Sequence, residues 1–241
     1  MPFLRIATSL LLASSLLAAT PALAQLQCAK AHLTQKSGES QDRVEDLANL
    51  TFQTERLEIR ALSPDQIEEA ATVWLDPQVK EMSGDIHIDM NHIRKTLAGG
   101  KTKYIEVRNS RDPYINFGLY MEGRLIGVSQ VGTGQEAAIV NSGIGSSQQK
   151  WVSISYNLKP EAWSKGVATE AASRLVRFAF EDLHAEGVHA ATILENSGSQ
   201  RVLQKLGFQS FRQENPNEAH FYLSRETFRA SNPAAAKARP E

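Results

Sequence analysis

The segment from Trp151 to Leu194 constrains the fold more than any other part of this chain. It begins with an apolar strand pattern, Trp151–Leu158, and ends with a second one, Val188–Leu194. Between them, residues 166–183 place apolar side chains on one helical face, made of Ala168, Ala171, Ala172, Leu175, Val176, Ala179 and Leu183. This order predicts a right-handed crossover that joins two parallel strands.

Antiparallel strands are predicted ahead of the crossover. Residues 57–62 alternate apolar and polar side chains, as a half-buried strand does. Residues 116–121 and 124–131 flank the turn Glu122-Gly123 and have the pattern of a hairpin. The chain therefore combines an antiparallel part with a parallel crossover unit.

The remaining patterns complete a mixed α/β (α+β) domain. A helix is predicted over residues 63–75, because a serine, a proline and an aspartate stand at its start. Residues 132–150 are rich in Gly, Ser and Gln and predict a long loop. A short helix over 199–206 and a last strand over 219–223 follow.

Composition excludes several classes of partner and site. The chain has 26 basic and 27 acidic residues and no basic run, so we predict no nucleic-acid partner. Cys28 is the single cysteine, which rules out an intrachain disulfide and a cysteine-based metal site. No histidine or carboxylate cluster has metal-ligand spacing, and we predict no metal.

The N-terminus has the pattern of a secretory signal peptide. Arg5 supplies the positive charge, Ile6–Ala19 form the apolar region, and Ala22-Leu23-Ala24 match the cleavage pattern. Cleavage after Ala24 predicts a periplasmic or secreted protein without stable membrane insertion. An uncleaved anchor or an organelle-targeting segment are alternatives, and a misassigned start would make the protein cytoplasmic.

These patterns divide the chain into four segments. Residues 1–24 form the signal peptide, and residues 25–52 form a polar linker with one short helix over 41–50. The folded domain extends over residues 53–228. The polar, alanine-rich tail, residues 229–241, is predicted to be disordered.

The loop between the first crossover strand and its helix is a candidate site for a phosphate. Its sequence is Trp163-Ser164-Lys165-Gly166-Val167-Ala168. The first N–H groups of a helix lack intrahelical partners and lie at the positive end of its dipole. Gly166 and the small Ala168 would let a diphosphate approach these groups. A surface turn that starts a helix is the alternative.

A second motif, NSGSQRVLQKLGF at residues 196–208, follows the second crossover strand. Asn196 and Ser199 stand at the head of its short helix, and Gly207 ends it. By itself this pattern is typical of helix capping and termination. The two motifs together are more specific than either one.

At this point the chain resembles the GNAT superfamily of N-acetyltransferases, in the branch of ribosomal-protein N-terminal and spermidine acetyltransferases. The resemblance rests on TERLEIRALSPDQ (54–66), GRLIG (123–127), ISYNLKPEAWSKGVATEA (154–171) and NSGSQRVLQKLGF (196–208), in family order. It extends over about residues 54–228. It implies a central, mostly antiparallel twisted sheet flanked by helices, with the crossover forming the site of coenzyme A.

The resemblance also implies roles for individual residues. The backbone of Leu158 would help to hold the thioester carbonyl, Asn196 would contact the pantetheine amides, and Ser199 would lie near the sulfur. The loop would bind the diphosphate through Trp163, Ser164, Lys165, Gly166, Val167, Ala168 and Thr169. Trp163 departs from the glutamine or arginine that the family pattern has at this position.

The implied activity is transfer of an acetyl group from the co-substrate acetyl-CoA to a primary amine. The acceptor is a small molecule or a peptide: a protein N-terminus, a polyamine or a small amine. We predict Ser199 as general acid, with Tyr222 as a second candidate. His220 is a weak candidate base, and no base is assigned.

Two other functions remain open at this stage. One is a non-catalytic module of GNAT fold that binds a CoA-like or other ligand outside the cytoplasm. The other is a secreted protein whose fold serves as an interaction surface. In each case we expect a monomer or a homodimer.

Overall fold

A computed structural model describes the protein over residues 50–84, 89–91, 93, 114–132, 136–212 and 215–232. All of these residues belong to one unit, residues 41–241. The predicted signal peptide at 1–24, residues 41–49 of the predicted helix at 41–50 and residues 233–241 of the predicted tail lie outside the described residues. Residues 229–231, predicted to begin the disordered tail, are helical. Among the residues described, no helix combines the length and the apolar character that crossing a membrane requires.

The described residues form one sheet of eight strands. In chain order these are β1 (Thr51–Gln53), β2 (Glu58–Ala61), β3 (Tyr114–Met121), β4 (Arg124–Gly132), β5 (Trp151–Leu158), β6 (Gly187–Ile193), β7 (Gln209–Phe211) and β8 (Glu218–Ser224). Their order in the sheet is β1-β2-β3-β4-β5-β6-β8-β7. Only β5 and β6 pair in parallel, and all other neighbours are antiparallel. The predicted mixed α/β class is confirmed.

Helices flank this sheet. They are α1 (Ile67–Trp74), α2 (Pro77–Ser83), α3 (Glu136–Asn141), α4 (Val167–Glu181), α5 (Ser197–Lys205) and α6 (Arg225–Ser231). The prediction of one long loop over 132–150 is wrong, because α3 lies within it. Its Ile139 is fully buried, so packing against the core stabilises a helix that six residues would not form alone.

Helix α4 supplies the largest apolar face. Its buried side chains are Val167, Ala171, Ala172, Leu175, Val176, Phe178, Ala179 and Phe180, which pack in one cluster with β5, β6 and β8. Burying one large apolar side chain contributes about 1.5–3 kcal/mol, so this face fixes α4 firmly on the sheet. A second cluster joins α1 to Tyr120, Leu125 and Val128 on β3 and β4.

The pairing of β5 with β6 stops early. Only Trp151, Val152 and Ser153 pair with the second strand, at Gly187, Val188 and His189. Beyond this point β5 pairs with β4, and β6 pairs with β8. The paired end is closed by the Trp151 ring, which lies where a side chain at Gly187 would be: a Cβ there would come within 2.1 Å of it. The other end opens into a gap in the sheet.

Candidate active site

A cavity of about 300 Å³ lies in the gap between β5 and β6. Ile154 and Tyr156 line it from β5, and Ala190 and Thr192 line it from β6. Other lining residues come from helices, among them Asn196 and Ser199 near the start of α5, and Trp74 and Met82 from α1 and α2. The cavity is therefore lined by both strands of the gap and by side chains of α1, α2 and α5.

The N-terminus of α4 carries no side-chain cap. Gly166 is its N-cap residue, with φ of 77°, and it makes no capping hydrogen bond. The first intrahelical bond is that of Glu170, whose N–H donates to the Gly166 carbonyl at 3.1 Å. The N–H groups of Val167, Ala168 and Thr169 precede this bond, so the helix geometry leaves them without intrahelical partners. They form a set of donors at the positive end of the helix dipole.

A cluster of hydrogen bonds fixes this bare helix start. The Glu170 carboxylate accepts from the Thr54 hydroxyl at 2.6 Å, from the Arg56 N–H at 2.8 Å and from Arg56 Nε at 2.7 Å. Arg56 Nη2 lies 2.7 Å from the same carboxylate, and Arg56 Nη1 donates to the Lys165 carbonyl at 2.8 Å. We call these contacts the Arg56–Glu170 clasp.

The clasp also determines the charge of Glu170. Burial by itself would raise the pKa of this carboxyl, but hydrogen bonds from Thr54 and Arg56 and the arginine charge lower it below its ordinary value. Glu170 is thus an anion paired with a cation. The positive charge of Arg56 offsets the negative charge of Glu170, which would otherwise repel an anion bound at the start of α4.

Trp163 shapes the loop that leads into α4. Its indole Nε1 donates to the Leu158 carbonyl at 2.7 Å, and its backbone N–H donates to the Pro160 carbonyl at 3.1 Å. Because both of its N–H groups donate within the protein, we assign Trp163 to fixing the loop rather than to contacting a phosphate. Ser164 has φ of 60° and completes the turn toward Gly166.

Leu158 ends the open part of β5. The N–H of the next residue, Lys159, donates to the Ile126 carbonyl on the β4 side at 2.9 Å. Successive N–H groups of a strand point to opposite edges, so the Leu158 N–H points to the edge that faces the gap. This orientation is the one that the predicted contact with a thioester carbonyl requires.

Asn196 and Ser199 come together at the start of α5. Asn196 Oδ1 accepts from the Ser199 N–H at 2.9 Å, and Asn196 Nδ2 donates to the Met82 carbonyl at 2.8 Å. Asn196 is therefore a helix cap that also ties α5 to α2. One N–H of its amide remains for a ligand.

Tyr156 is a cavity residue that the sequence analysis did not identify. Its hydroxyl lies 3.0 Å from Ser199 Oγ. Burial raises the pKa of Tyr156 to about 12, although the hydrogen bond with Ser199 opposes this rise. The alternation of β5 places Tyr156 on the same face as Ile154 and Leu158, but no local pattern indicates that its hydroxyl reaches α5.

The other candidate acid and the candidate base do not line the cavity. The Tyr222 hydroxyl donates to Gln209 Oε1 at 2.6 Å on the neighbouring strand. His220 is buried, with Nδ1 3.1 Å from His189 Nε2 and Nε2 3.0 Å from Glu218 Oε2. Burial, with a smaller contribution from His220, lowers the pKa of His189 to about 4. This pair is thus part of the packed core of β6 and β8.

The predicted site residues occupy two neighbouring places. Asn196 and Ser199 line the cavity itself. Leu158 is the last residue of β5, and the residues from Trp163 to Thr169 form the end of the following loop and the first turn of α4. These residues are not among those that line the cavity. Among the residues that the structure describes, no group of histidine, cysteine or carboxylate side chains could hold a metal ion.

Known proteins are similar to this chain. The family model described as "Acetyltransferase (GNAT) domain" matches residues 56–209. The chain is 28% identical over 163 residues to p20 of Bacillus licheniformis, an uncharacterised N-acetyltransferase, with 66% of this chain and 82% of that protein covered.

Two solved structures have a similar fold. RimJ of Mycobacterium smegmatis, in complex with CoA-disulfide, matches with a TM-score of 0.55 at 15% identity, with 70% of this chain and 82% of that one covered. A chimera of the spermidine N-acetyltransferase SpeG from Vibrio cholerae and hSSAT matches with a TM-score of 0.54 at 12% identity, over 72% and 98%. The matched family model extends over more than half of the sequence, and the protein therefore belongs to the GNAT acetyltransferase family, whose members use acetyl-CoA.

Proposed function

We propose that the protein is an acetyl-CoA-dependent N-acetyltransferase whose acceptor is a primary amine. The observation that carries this proposal is the combination of the gap between β5 and β6, which holds a cavity, with the uncapped start of α4, the helix that follows β5 in the chain. The residues fit the co-substrate, because Gly166 leaves the first N–H groups of α4 uncovered. Acetyl-CoA, when bound, supplies the thioester that the amine attacks.

Six of the predicted residues have a task in this reaction. The N–H groups of Val167, Ala168 and Thr169 would bind the diphosphate, and the Leu158 N–H would polarise the carbonyl that the amine attacks. Ser199 lines the cavity and is our candidate proton donor to the departing sulfur. Asn196 holds Ser199 in place and offers its free N–H to the pantetheine arm.

The acceptor must present a neutral amine to this site. An α-amine with pKa of about 8 is roughly a tenth neutral at pH 7, whereas an amine like that of lysine is neutral only to a fraction of a per cent. A protein N-terminus, a polyamine and a small amine are all acceptors within the proposal. Because its α-amine has the largest neutral fraction, a protein N-terminus is the acceptor that depends least on a general base.

Titration calorimetry with acetyl-CoA, followed by assay of CoA release with a panel of amines, tests the proposal. We expect saturable binding to residues 25–241 and release of CoA with at least one amine. Failure to bind acetyl-CoA would refute the proposal. Binding without turnover on peptides, polyamines and small amines would instead support the non-catalytic module.

We further propose that the protein is exported after cleavage behind Ala24, which rests on the sequence pattern of residues 1–24. Sequencing the N-terminus of the natively produced protein tests this, and we expect Gln25. A cytoplasmic protein that retains residues 2–24 would contradict export. That result would leave the proposed activity untouched.

A further inference from the structure

Tyr156 and Ser199 form a hydroxyl pair across the open part of the gap. Tyr156 stands on the part of β5 that no longer pairs with β6, and Ser199 stands in the first turn of α5. The two hydroxyl oxygens are 3.0 Å apart. The pair therefore connects the open strand to the helix on the other side of the cavity, and both residues line that cavity.

The distances identify Ser199 Oγ as the better partner of the Tyr156 hydroxyl. The Tyr156 hydroxyl is 3.0 Å from Ser199 Oγ but 3.4 Å from the Ser199 carbonyl oxygen. Hydroxyl hydrogen bonds are usually about 2.5–3.0 Å long, so the contact with Oγ is the better one. If the tyrosine donates to Oγ, the hydrogen of Ser199 stays available for a different acceptor.

Two contacts then hold Ser199 at once. Asn196 fixes its backbone through the N–H, and Tyr156 fixes its side chain through Oγ. A serine hydroxyl otherwise rotates freely among its positions. Held in this way, it is a donor oriented before any ligand arrives, which is how proteins stabilise charge that develops during a reaction.

We propose that Tyr156 is a positioning residue that directs the Ser199 hydroxyl toward the sulfur of coenzyme A. This inference rests on the proposed function and identifies the residue on which its proton donor depends. It assigns Tyr156 no contact with the reacting atoms.

The proton balance closes without Tyr156. The bond from the amine nitrogen to the carbonyl carbon forms, the bond from that carbon to sulfur breaks, and sulfur takes the electron pair. Ser199 gives sulfur a proton and is restored by the proton that the acylated nitrogen loses. A tyrosine whose pKa is raised to about 12 by burial keeps its own proton throughout.

The test measures the pKa of the CoA thiol in the bound state, which needs no acceptor amine. The ultraviolet absorbance of the thiolate is followed against pH for CoA bound to the wild type and to Y156F, S199A and Y222F. A hydrogen bond to the thiolate favours the charged form, so its loss raises the pKa of the thiol. We therefore expect Y156F and S199A each to raise the bound thiol pKa by about one unit.

Two comparisons separate positioning from a general structural effect. The double variant Y156F/S199A should raise the thiol pKa no further than S199A alone, because Tyr156 acts through Ser199. Y222F is the matched control, since it removes a hydroxyl whose hydrogen bond to Gln209 lies away from the cavity. It should leave the thiol pKa at the wild-type value.

The outcomes are distinct. If CoA binds Y156F and its thiol titrates as in the wild type, the inference is overturned while the proposed function stands. If additive effects appear in the double variant, positioning through Ser199 is likewise overturned. If CoA does not bind the wild type, both the proposed function and the inference fail. Should Y156F fold poorly, the contrast between S199A and wild type still decides whether Ser199 reaches the sulfur at all.

Discussion

Two helices begin beside the gap in the sheet, and they begin differently. Helix α4 starts at Gly166, which has no side chain to cap the helix. Helix α5 starts at Asn196, whose side chain accepts a hydrogen bond from Ser199. The bare start leaves backbone donors for a ligand, whereas the capped start uses its donor to hold a side chain in the cavity.

The difference explains where the supporting contacts lie. A helix that begins with glycine instead of a capping side chain is less stable by roughly a few tenths of a kcal/mol. At α4, residues other than the N-cap stabilise the helix start: those of the Arg56–Glu170 clasp, and Trp163 through its hydrogen bond to the Leu158 carbonyl. The loop is held in place, and its N–H groups stay uncovered.

Replacing Gly166 by valine should produce the largest effect. At φ of 77° a β-branched residue is strained, and its side chain would stand beside the first N–H groups of α4. Each lost hydrogen bond to a charged group costs about 1.5–3 kcal/mol, so we expect acetyl-CoA affinity to fall at least about 100-fold. Titration calorimetry measures this change.

Gly123 offers a matched control for that variant. It has φ of 74°, lies in the turn between β3 and β4, and has no atom within 4 Å of the position a Cβ would take. Valine at this position should cause comparable backbone strain, measured as a loss of thermal stability, with unchanged acetyl-CoA affinity. Equal affinities of the two variants would show that α4 does not hold the diphosphate.

Removing the cap of α5 should have an intermediate effect. Asn196→Ala abolishes the bonds to Ser199 and to Met82, and loss of an N-cap costs about 1 kcal/mol of stability. Because Ser199 then loses its fixed position, we expect kcat to fall about tenfold. Because the amide contact with the pantetheine arm is lost as well, we expect the KM for acetyl-CoA to rise about threefold to tenfold. Steady-state kinetics and chemical unfolding measure the two effects.

Ser224→Ala is the control for this variant. Ser224 caps α6 through the Thr227 N–H, so its loss removes a cap outside the cavity. It should reduce stability by a similar amount and leave kcat unchanged. A tenfold loss of kcat in S224A would mean that N196A acts through stability alone.

Breaking the clasp should have the smallest effect. Arg56→Met leaves Glu170 as an anion without its paired cation near the helix start. Since the Arg56 side chain is 41% exposed, solvent screens the charge, and we expect only a several-fold rise in the KM for acetyl-CoA. S-acetylpantetheine has no diphosphate, so its KM should not change.

Arg177 provides the comparison for the clasp. It pairs with Glu181 on the surface of the same helix, four residues apart. Arg177→Met also removes one positive charge, but near the C-terminal end of α4. It should alter neither the KM for acetyl-CoA nor the KM for S-acetylpantetheine. If R56M raises the KM for S-acetylpantetheine as much as that for acetyl-CoA, the clasp acts on the whole site rather than on the diphosphate.

Local patterns were enough to predict much of the fold. The apolar spacing of α4 and the alternation in the strands of the hairpin are properties of neighbouring residues, so the crossover and the mixed sheet could be predicted. The predicted helix over 63–75 appears as a 3₁₀ turn, Pro64–Gln66, followed by α1. Gly166 could be identified because a glycine before a helix is itself a signal.

Other features depend on contacts between distant residues and have no local signal. Arg56 and Glu170 are 114 residues apart, and Tyr156 and Ser199 are 43 residues apart. The short helix α3 exists because Ile139 finds a place in the core. The indole of Trp163 donates to the Leu158 carbonyl, a contact that residue type alone could not predict.

The short pairing of β5 with β6 has a mechanical consequence. Within the described sheet, three residue pairs join a half-sheet of five strands to a half-sheet of three. A ligand in the gap would connect the two halves where backbone hydrogen bonds between β5 and β6 are missing. Amide hydrogens of the open part of β5 should then exchange with solvent more slowly when the ligand is bound. In a pulling experiment, the ligand-free protein should separate first between β5 and β6.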